Sequence, residues 1–507
     1  MKTLDKMTIL VMDDSPIIRQ STRLLLEQIG FGRDNIKLVA NANQAHSAFQ
    51  SELFDLFIVD YNLGEGSTGL QLLERLGHAG LLRHDPIIFV VTAESSAAVV
   101  RSFSEFDPSG FIVKPLRGDI ISQSVRQSMN DRRFAAHVQQ QYQQGGAPMA
   151  LKSLQQASSK KSYNLAITRL CQHISDSGQP LIAIKILEKF TAVNAHVKAH
   201  LLYAQLLLSQ QQLDPAERIL TALLTKNANS IPALDLRCRL ELARNQYDSA
   251  SKTLQGLQQL SPQILTRLYA QVLLGLGLCA NTNQLQKIKE ITLKASNSVW
   301  ERPHKLAFLA WSAAQLPECA SMSLETLWAE ITRGRKAQRS DAAFMSFAAW
   351  FYAKQHNYSQ AIQCLHSSNQ DIFSNDKFEL LFINLHTQQL LGMDHAIGDT
   401  LERLSLSVHD SKSPLLAQLK EQLLQQYQQW RPNADSIPVE QFAQASDIQL
   451  LQQWRINRFQ PDLANELQHR FNNGSRATSP EQKQIKAEVE LFIGLTQATK
   501  TRQDSNG

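Results

Sequence analysis

At 507 residues, with 51 basic against 46 acidic side chains, the chain has length for roughly two to four domains and a net charge of only +5. So small a surplus excludes an extended basic field for nucleic acid or anionic lipid, and the longest apolar stretch, around 342–353, is too short for a bilayer span and contains Ser346. The five cysteines (Cys171, Cys238, Cys279, Cys319, Cys364) show no ligand spacing and read as reduced core residues, and Met1-Lys-Thr-Leu-Asp-Lys has no apolar signal core, so a cytoplasmic protein without membrane partners is expected.

In chain order, four short apolar runs rich in branched or aromatic residues have the pattern of strands buried on both faces: Ile9-Leu10-Val11-Met12, Leu56-Phe57-Ile58-Val59, Ile87-Ile88-Phe89-Val90-Val91 and Phe111-Ile112-Val113. A further strand is predicted near 37–39 and helices at 16–29, 44–52, 70–77, 97–106 and 119–131. This alternation predicts an α/β doubly wound, five-stranded parallel sheet. Polar residues end the runs: Asp13 and Asp14, Asp60, Thr92, and Lys114-Pro115. In open α/β sheets ligands bind at that edge, so four stretches of chain converge on one crevice. The acidic pair plus Asp60 offer hard oxygen ligands suited to Mg²⁺, which keeps several waters and a phosphate oxygen. Asp60 is then the expected nucleophile of a phosphoryl transfer, with the Lys114 ammonium on the phosphoryl oxygens and the Thr92 hydroxyl donating a hydrogen bond. Taken singly, Asp14-Ser15-Pro16 also reads as a helix N-cap and Lys114-Pro115 as a turn; the ordered set at strand ends is what favours the phosphoacceptor.

These residues resemble the receiver domain of two-component response regulators, over roughly residues 6–130. The resemblance rests on Asp13-Asp14, Asp60, Thr92 followed by the small Ala93, and Lys114-Pro115, with Phe111 matching the switch aromatic. It implies a flavodoxin-like fold, phosphorylation of Asp60, the backbone carbonyl of Asn62 as a further Mg²⁺ ligand, and switching through Thr92 and Phe111. A cis Lys114–Pro115 peptide and phosphate donation by a histidine kinase or phosphotransfer protein are implied with it. The loop after Asp60 departs from the family: Gly64 stands where a Pro is usual, and Gly69 lies nine residues on rather than eight. That bears on the loop's shape, not on the acceptor.

The expected domain limits are 1–132 for the receiver, 133–150 for a Gln- and Gly-rich polar linker, 151–500 for an all-α region and 501–507 for a disordered tail. From about residue 151 apolar positions recur at three- and four-residue steps. Asp214-Pro-Ala216 with Leu220 and Leu223, and Asp248-Ser-Ala250 with Leu254 and Leu257, repeat at 250 − 216 = 34. Ala204 and Cys238 precede the two alanines by twelve residues, and Pro262 follows Ala250 by twelve. This looks like the tetratricopeptide repeat, with weaker copies at Ala183 and Leu187 and at Ala349, Tyr358, Ala361 and Leu365. Between 263 and 340 helices are evident without a register. The other reading of these residues is an irregular helical array; a solenoid follows from both.

A phosphorylation switch joined to a solenoid predicts a response regulator whose output is binding of an unidentified protein by the helical repeats, without an enzymatic output. A transcription factor would need a DNA-binding helix pair, for which 446–470, with Arg455, Arg458, His469 and Arg470, is the nearest candidate. Its charges are sparse, and nucleic acid is not expected. An enzyme would draw on His173, His196, His304 or His395, none of which has a paired nucleophile in the sequence.

Overall fold

A computed structural model describes the chain except for residues 1–2, 63–67, 83–84, 94–99, 101–102, 104–105, 107, 194–195, 277–282, 295–298, 333–341, 369–376, 409–412, 428–437, 474–476, 478 and 507. It divides into two compact units, Met1–Leu274 and Gly275–Gly507.

The first unit opens with β1 (Ile9–Met12), α1 (Pro16–Gln28), β2 (Ile36–Val39), α2 (Ala42–Ser51), β3 (Leu56–Asp60), α3 (Gly69–His78), β4 (Ile87–Thr92) and β5 (Gly110–Val113). The strands form one parallel sheet in the order β2-β1-β3-β4-β5, as the alternating pattern predicted. Because side chains alternate across a pleat, Leu10, Met12, Phe57, Val59, Ile88 and Val90 pack on one face with the alanines of α2 and the leucines of α3. Ile9, Val11, Leu56, Ile58, Phe89 and Val91 pack on the other face, against Leu26, Ile121, Val125 and Met129. Ser15, Asn41 and Thr68 cap α1, α2 and α3, each accepting a backbone N–H three residues on. The helix expected at 97–106 lies largely outside the described residues.

The helix after β5 departs from expectation. α4 runs from Gly118 to Leu154, so residues 133–150, read as a polar linker, are helical, with non-helical geometry only at Gly145 and Gly146, the latter at φ 68°. Glutamine is a good helix former, and Ala135 and Val138 sink into the core of the helices that follow, with Phe134 and Tyr142 packed against it. The composition that suggested a linker was therefore helix-compatible, and only the Gly-Gly pair bends it.

Helices α5 (Lys160–Asp176), α6 (Pro180–Val193), α7 (Val197–Ser209), α8 (Leu213–Lys226), α9 (Ile231–Ala243), α10 (Tyr247–Leu260) and α11 (Leu265–Gly275) complete the first unit's elements. From α7 to α9, from α8 to α10 and from α9 to α11 the starts advance by 34 residues (231 − 197, 247 − 213, 265 − 231). Each hairpin turns through a left-handed residue: Gly178 (φ 80°), Gln211 (φ 56°) and Asn245 (φ 58°). The next N–H reaches back five residues, Gln212 to Leu207 O at 2.9 Å and Gln246 to Glu241 O at 2.8 Å, closing the last carbonyls of the first helix. Ala204, Ala216, Cys238 and Ala250 are fully buried where the helices approach, and Leu220, Leu254 and Leu257 fill the layers between them. Leu254→Ala should accordingly cost about 2–5 kcal/mol, read as a lowered urea midpoint.

The second unit is helical throughout its described elements, from Gln284–Lys294 to Pro480–Asn506. The same turn recurs at His356 (φ 60°) and Gly392 (φ 66°), whose following N–H groups bond Tyr352 O and Gln388 O. The stretch expected as a disordered tail continues the last helix to Asn506. Among the described residues no helix is long and apolar enough to cross a membrane.

Candidate functional site

The predicted residues meet at the C-terminal edge of the sheet. β1 and β3 are paired in register, Met12 beside Val59, so the residues that follow, Asp13 and Asp60, sit on adjacent strand ends. Lys114, just past β5, crosses to both: its Nζ lies 3.0 Å from Asp13 Oδ2 and 2.9 Å from Asp60 Oδ2. Carboxylate oxygens of Asp13, Asp14 and Asp60 all lie within 4.8 Å of one another, with Asp13 and Asp60 buried and Asp14 exposed. Three hard oxygen donors with one side open to water fit a Mg²⁺ ion that retains solvent ligands.

Neighbouring groups fix Asp13. Asp13 Oδ1 accepts the Ser15 N–H at 2.9 Å, and Arg19 donates to the Asp13 carbonyl at 2.6 Å, tying the acidic pair to the first turn of α1. Burial raises the Asp60 carboxyl above its ordinary value, against the hydrogen bond and charge of Lys114. Burial works against the Lys114 ammonium too, but its bonds to Asp60 and Asp13 win and its pKa lies above the usual lysine value. The Lys114–Pro115 peptide is cis.

Thr92 ends β4 buried, and its carbonyl accepts the Lys114 N–H at 2.9 Å, which ties threonine and lysine together at the strand edge. Phe111 pairs in register with Val90 and meets the buried Phe103 edge-on, with centroids 6.1 Å apart. Phe103 in turn meets Tyr61, the residue after the acceptor, at 5.9 Å. Tyr61 and Phe103 were not singled out in the sequence; the aromatic directly after Asp60 was the available signal. Asn62 forms an isolated bridge with Thr68.

The displaced glycine has a defined task. A Cβ on Gly69 would lie 2.4 Å from the Asp60 carbonyl oxygen, so α3 begins against the acceptor's own backbone only because position 69 lacks a side chain. Gly69→Ala should push α3 outward, cost about 1–3 kcal/mol and slow labelling of Asp60, measured by denaturation and acetyl-phosphate kinetics.

The rival residues are engaged elsewhere. Arg470 pairs with Asp447 at 2.9 Å and Glu466 at 2.8 Å, Arg455 with Glu481, and Arg458 lies over the Tyr358 ring, so the 446–470 helices hold their cations against carboxylates and an aromatic ring. His173 contacts the Gln143 amide and His395 the Asn457 amide, while burial pushes His304 down to about 4.

Residues 9–126 match the family described as response regulator receiver domain, and this part of the chain is a receiver domain. Similar solved structures include the receiver domain of a modulated diguanylate cyclase from Desulfovibrio desulfuricans, 20% identical over 25% of this chain and 96% of that one, with a TM-score of 0.23. A CheY-like receiver protein from Methanospirillum hungatei is 23% identical over 25% and 96%, TM-score 0.23. Chemotaxis protein CheY4 of Vibrio cholerae is 23% identical over 24% and 97%, TM-score 0.22. No curated protein matches the chain.

Proposed function

We propose that the chain is a two-component response regulator that accepts a phosphoryl group on Asp60 and signals through protein binding by tetratricopeptide-like helices. The observation that carries the reading is Lys114 Nζ held within 3.0 Å of both Asp13 and Asp60 at the sheet edge. Asp13, Asp14 and Asp60, with the Asn62 carbonyl, would hold Mg²⁺, which when bound neutralises charge on the phosphoryl oxygens. The ionised Asp60 oxygen attacks phosphorus of a phosphohistidine on the donor; the P–N bond breaks, the O–P bond forms, and the imidazole leaves with a proton. Lys114 keeps that carboxylate ionised despite burial and then follows the new phosphoryl oxygens, drawing the Thr92 edge and Phe111 with it.

The helical region supports the output half. The 34-residue advance of paired helices and the repeated left-handed turn describe stacked hairpins, an architecture that presents long surfaces to protein ligands. Catalysis is confined to phosphoryl transfer on and off Asp60, and the setting is the cytoplasm.

The test is labelling by acetyl phosphate with Mg²⁺, followed by capture of partners on labelled and unlabelled full-length protein, with Asp60→Asn as the reference. Identical captured sets would remove the signalling half. Lys114→Ala should keep some label but lose the change in partner binding, because a partly buried charge-assisted hydrogen bond worth about 1.5–3 kcal/mol of the active state is gone. A full binding response in that variant would assign the coupling to another group.

A further inference from the structure

The chain that leaves the sheet through α4 returns to it at the far end of the first unit. Ile264, 2% exposed, joins the apolar cluster of the strands with Leu70 and Leu73 of α3. Beside it Thr68 Oγ1 donates to Gln263 Oε1 at 2.8 Å, and Glu74 Oε1 accepts the Thr266 N–H at 3.0 Å and the Thr266 hydroxyl. Arg267, buried, adds its charge near Glu74 while donating to the Leu257 carbonyl at 3.3 Å. The opposite end of the contact is fixed separately by Asp85, which pairs with Arg132 of α4 and Arg169 of α5.

Thr68 stands at the exit of the acceptor loop. Asp60 is followed by Tyr61, whose carbonyl accepts the Gly69 N–H at 3.0 Å, and Asn62 bridges Thr68. The hydroxyl that donates to Gln263 is also the α3 cap, accepting the Gln71 N–H at 3.3 Å. Tyr61 and Asn62, the two residues after the acceptor, are thus bonded to the start of α3 beside the hydroxyl that holds Gln263.

We propose that residues Gln263–Arg267 form an internal latch on α3, closed when Asp60 is unmodified and released when it is phosphorylated, which frees this face of the helical array for a partner. The release step rests on Asp60 being the phosphoacceptor; the closed contact does not. Its chemistry suits reversal. Burial pushes the Glu74 carboxyl above its ordinary value despite the Thr266 bonds and Arg267, so opening returns to water a group whose ionised form burial disfavours. The freed site would present the Thr266 donors beside the apolar Ile264, with the buried charge of Arg267 behind them, a setting that fits a helix carrying one carboxylate among leucines, as α3 does.

Hydrogen exchange by mass spectrometry on full-length protein tests this. Ile264→Asp should speed exchange about tenfold in both α3 and 261–271 while β1 and β3 stay as in wild type, and Thr266→Val should do so by a smaller factor if the aspartate variant fails to fold. Acceleration confined to 261–271 would overturn the latch. After acetyl phosphate and Mg²⁺, intact mass identifies singly labelled protein, in which both segments should exchange faster and the Asp85 contact should not. Label present with unchanged exchange in α3 overturns the release step alone. No label on wild type overturns the phosphoacceptor reading and the release step with it, whereas the Ile264→Asp comparison still decides the closed contact.

Discussion

Asp60→Asn should abolish labelling by acetyl phosphate and Mg²⁺, while wild type takes up one phosphoryl group per chain, counted by intact mass. The amide keeps the shape of the carboxylate and still accepts from Lys114, but its oxygen is a poor nucleophile. Neither neighbour can take over. Asp13 has one oxygen on the Ser15 N–H and the other on Lys114, and Asp14 is an exposed residue outside the strand. Stability should change by no more than about 1 kcal/mol, because the charge lost from the Lys114 bond is offset by relief of a carboxylate that burial already disfavours. Thermal melting separates the two effects: an unchanged melt with no label assigns the loss to chemistry. Stoichiometric label on the variant would move the acceptor elsewhere.

The legibility of this site in the sequence has a physical basis. Parallel strands buried on both faces must be nearly pure apolar runs, so the first polar residue after each run marks the sheet edge. Asp13, Asp60, Thr92 and Lys114 were thereby located together without knowledge of contacts. What fell outside that logic were residues whose role depends on partners far along the chain. Glu74 and Thr266 are 192 positions apart and belong to segments that read as ordinary amphipathic helices. The glutamine tract of α4 was misread because polar composition was taken for a break, when only Gly145 and Gly146 depart from helical geometry. The lost register after residue 263 has a simpler cause. Helix starts that advance by 34 up to Leu265 then advance by 303 − 265 = 38 and 342 − 303 = 39, so a fixed period finds no match.

The stacked helices also carry a charge cluster that the repeat pattern could not foretell, and it supports the second large expected effect. In the second unit Glu379, 3% exposed, pairs with Lys305 and, at 3.0 Å, with Lys420. The ammonium groups rest on aromatic faces as well, Lys305 over Trp300 at 5.3 Å and Lys420 over Phe378 at 4.5 Å. Glu379→Gln should destabilise this unit by about 3–5 kcal/mol, since it strands two buried cations on ring faces and a neutral amide. Against a total of roughly 5–15 kcal/mol for a folded domain, that is a large share.

The pH dependence identifies the cause. Burial already holds Lys305 down to about 8 from an ordinary 10.5, with Glu379 opposing the drop. A lysine depressed in the folded state gives its full stabilisation above the unfolded value, and the gain disappears as pH falls through the folded value. Removing Glu379 lowers the folded value further, so the variant begins to recover stability at a lower pH than wild type does. Urea midpoints followed by tryptophan emission should therefore show a larger deficit at pH 6 than at pH 8.5. A deficit independent of pH would mean that Glu379 acts by packing and hydrogen bonding, not by balancing the two lysines.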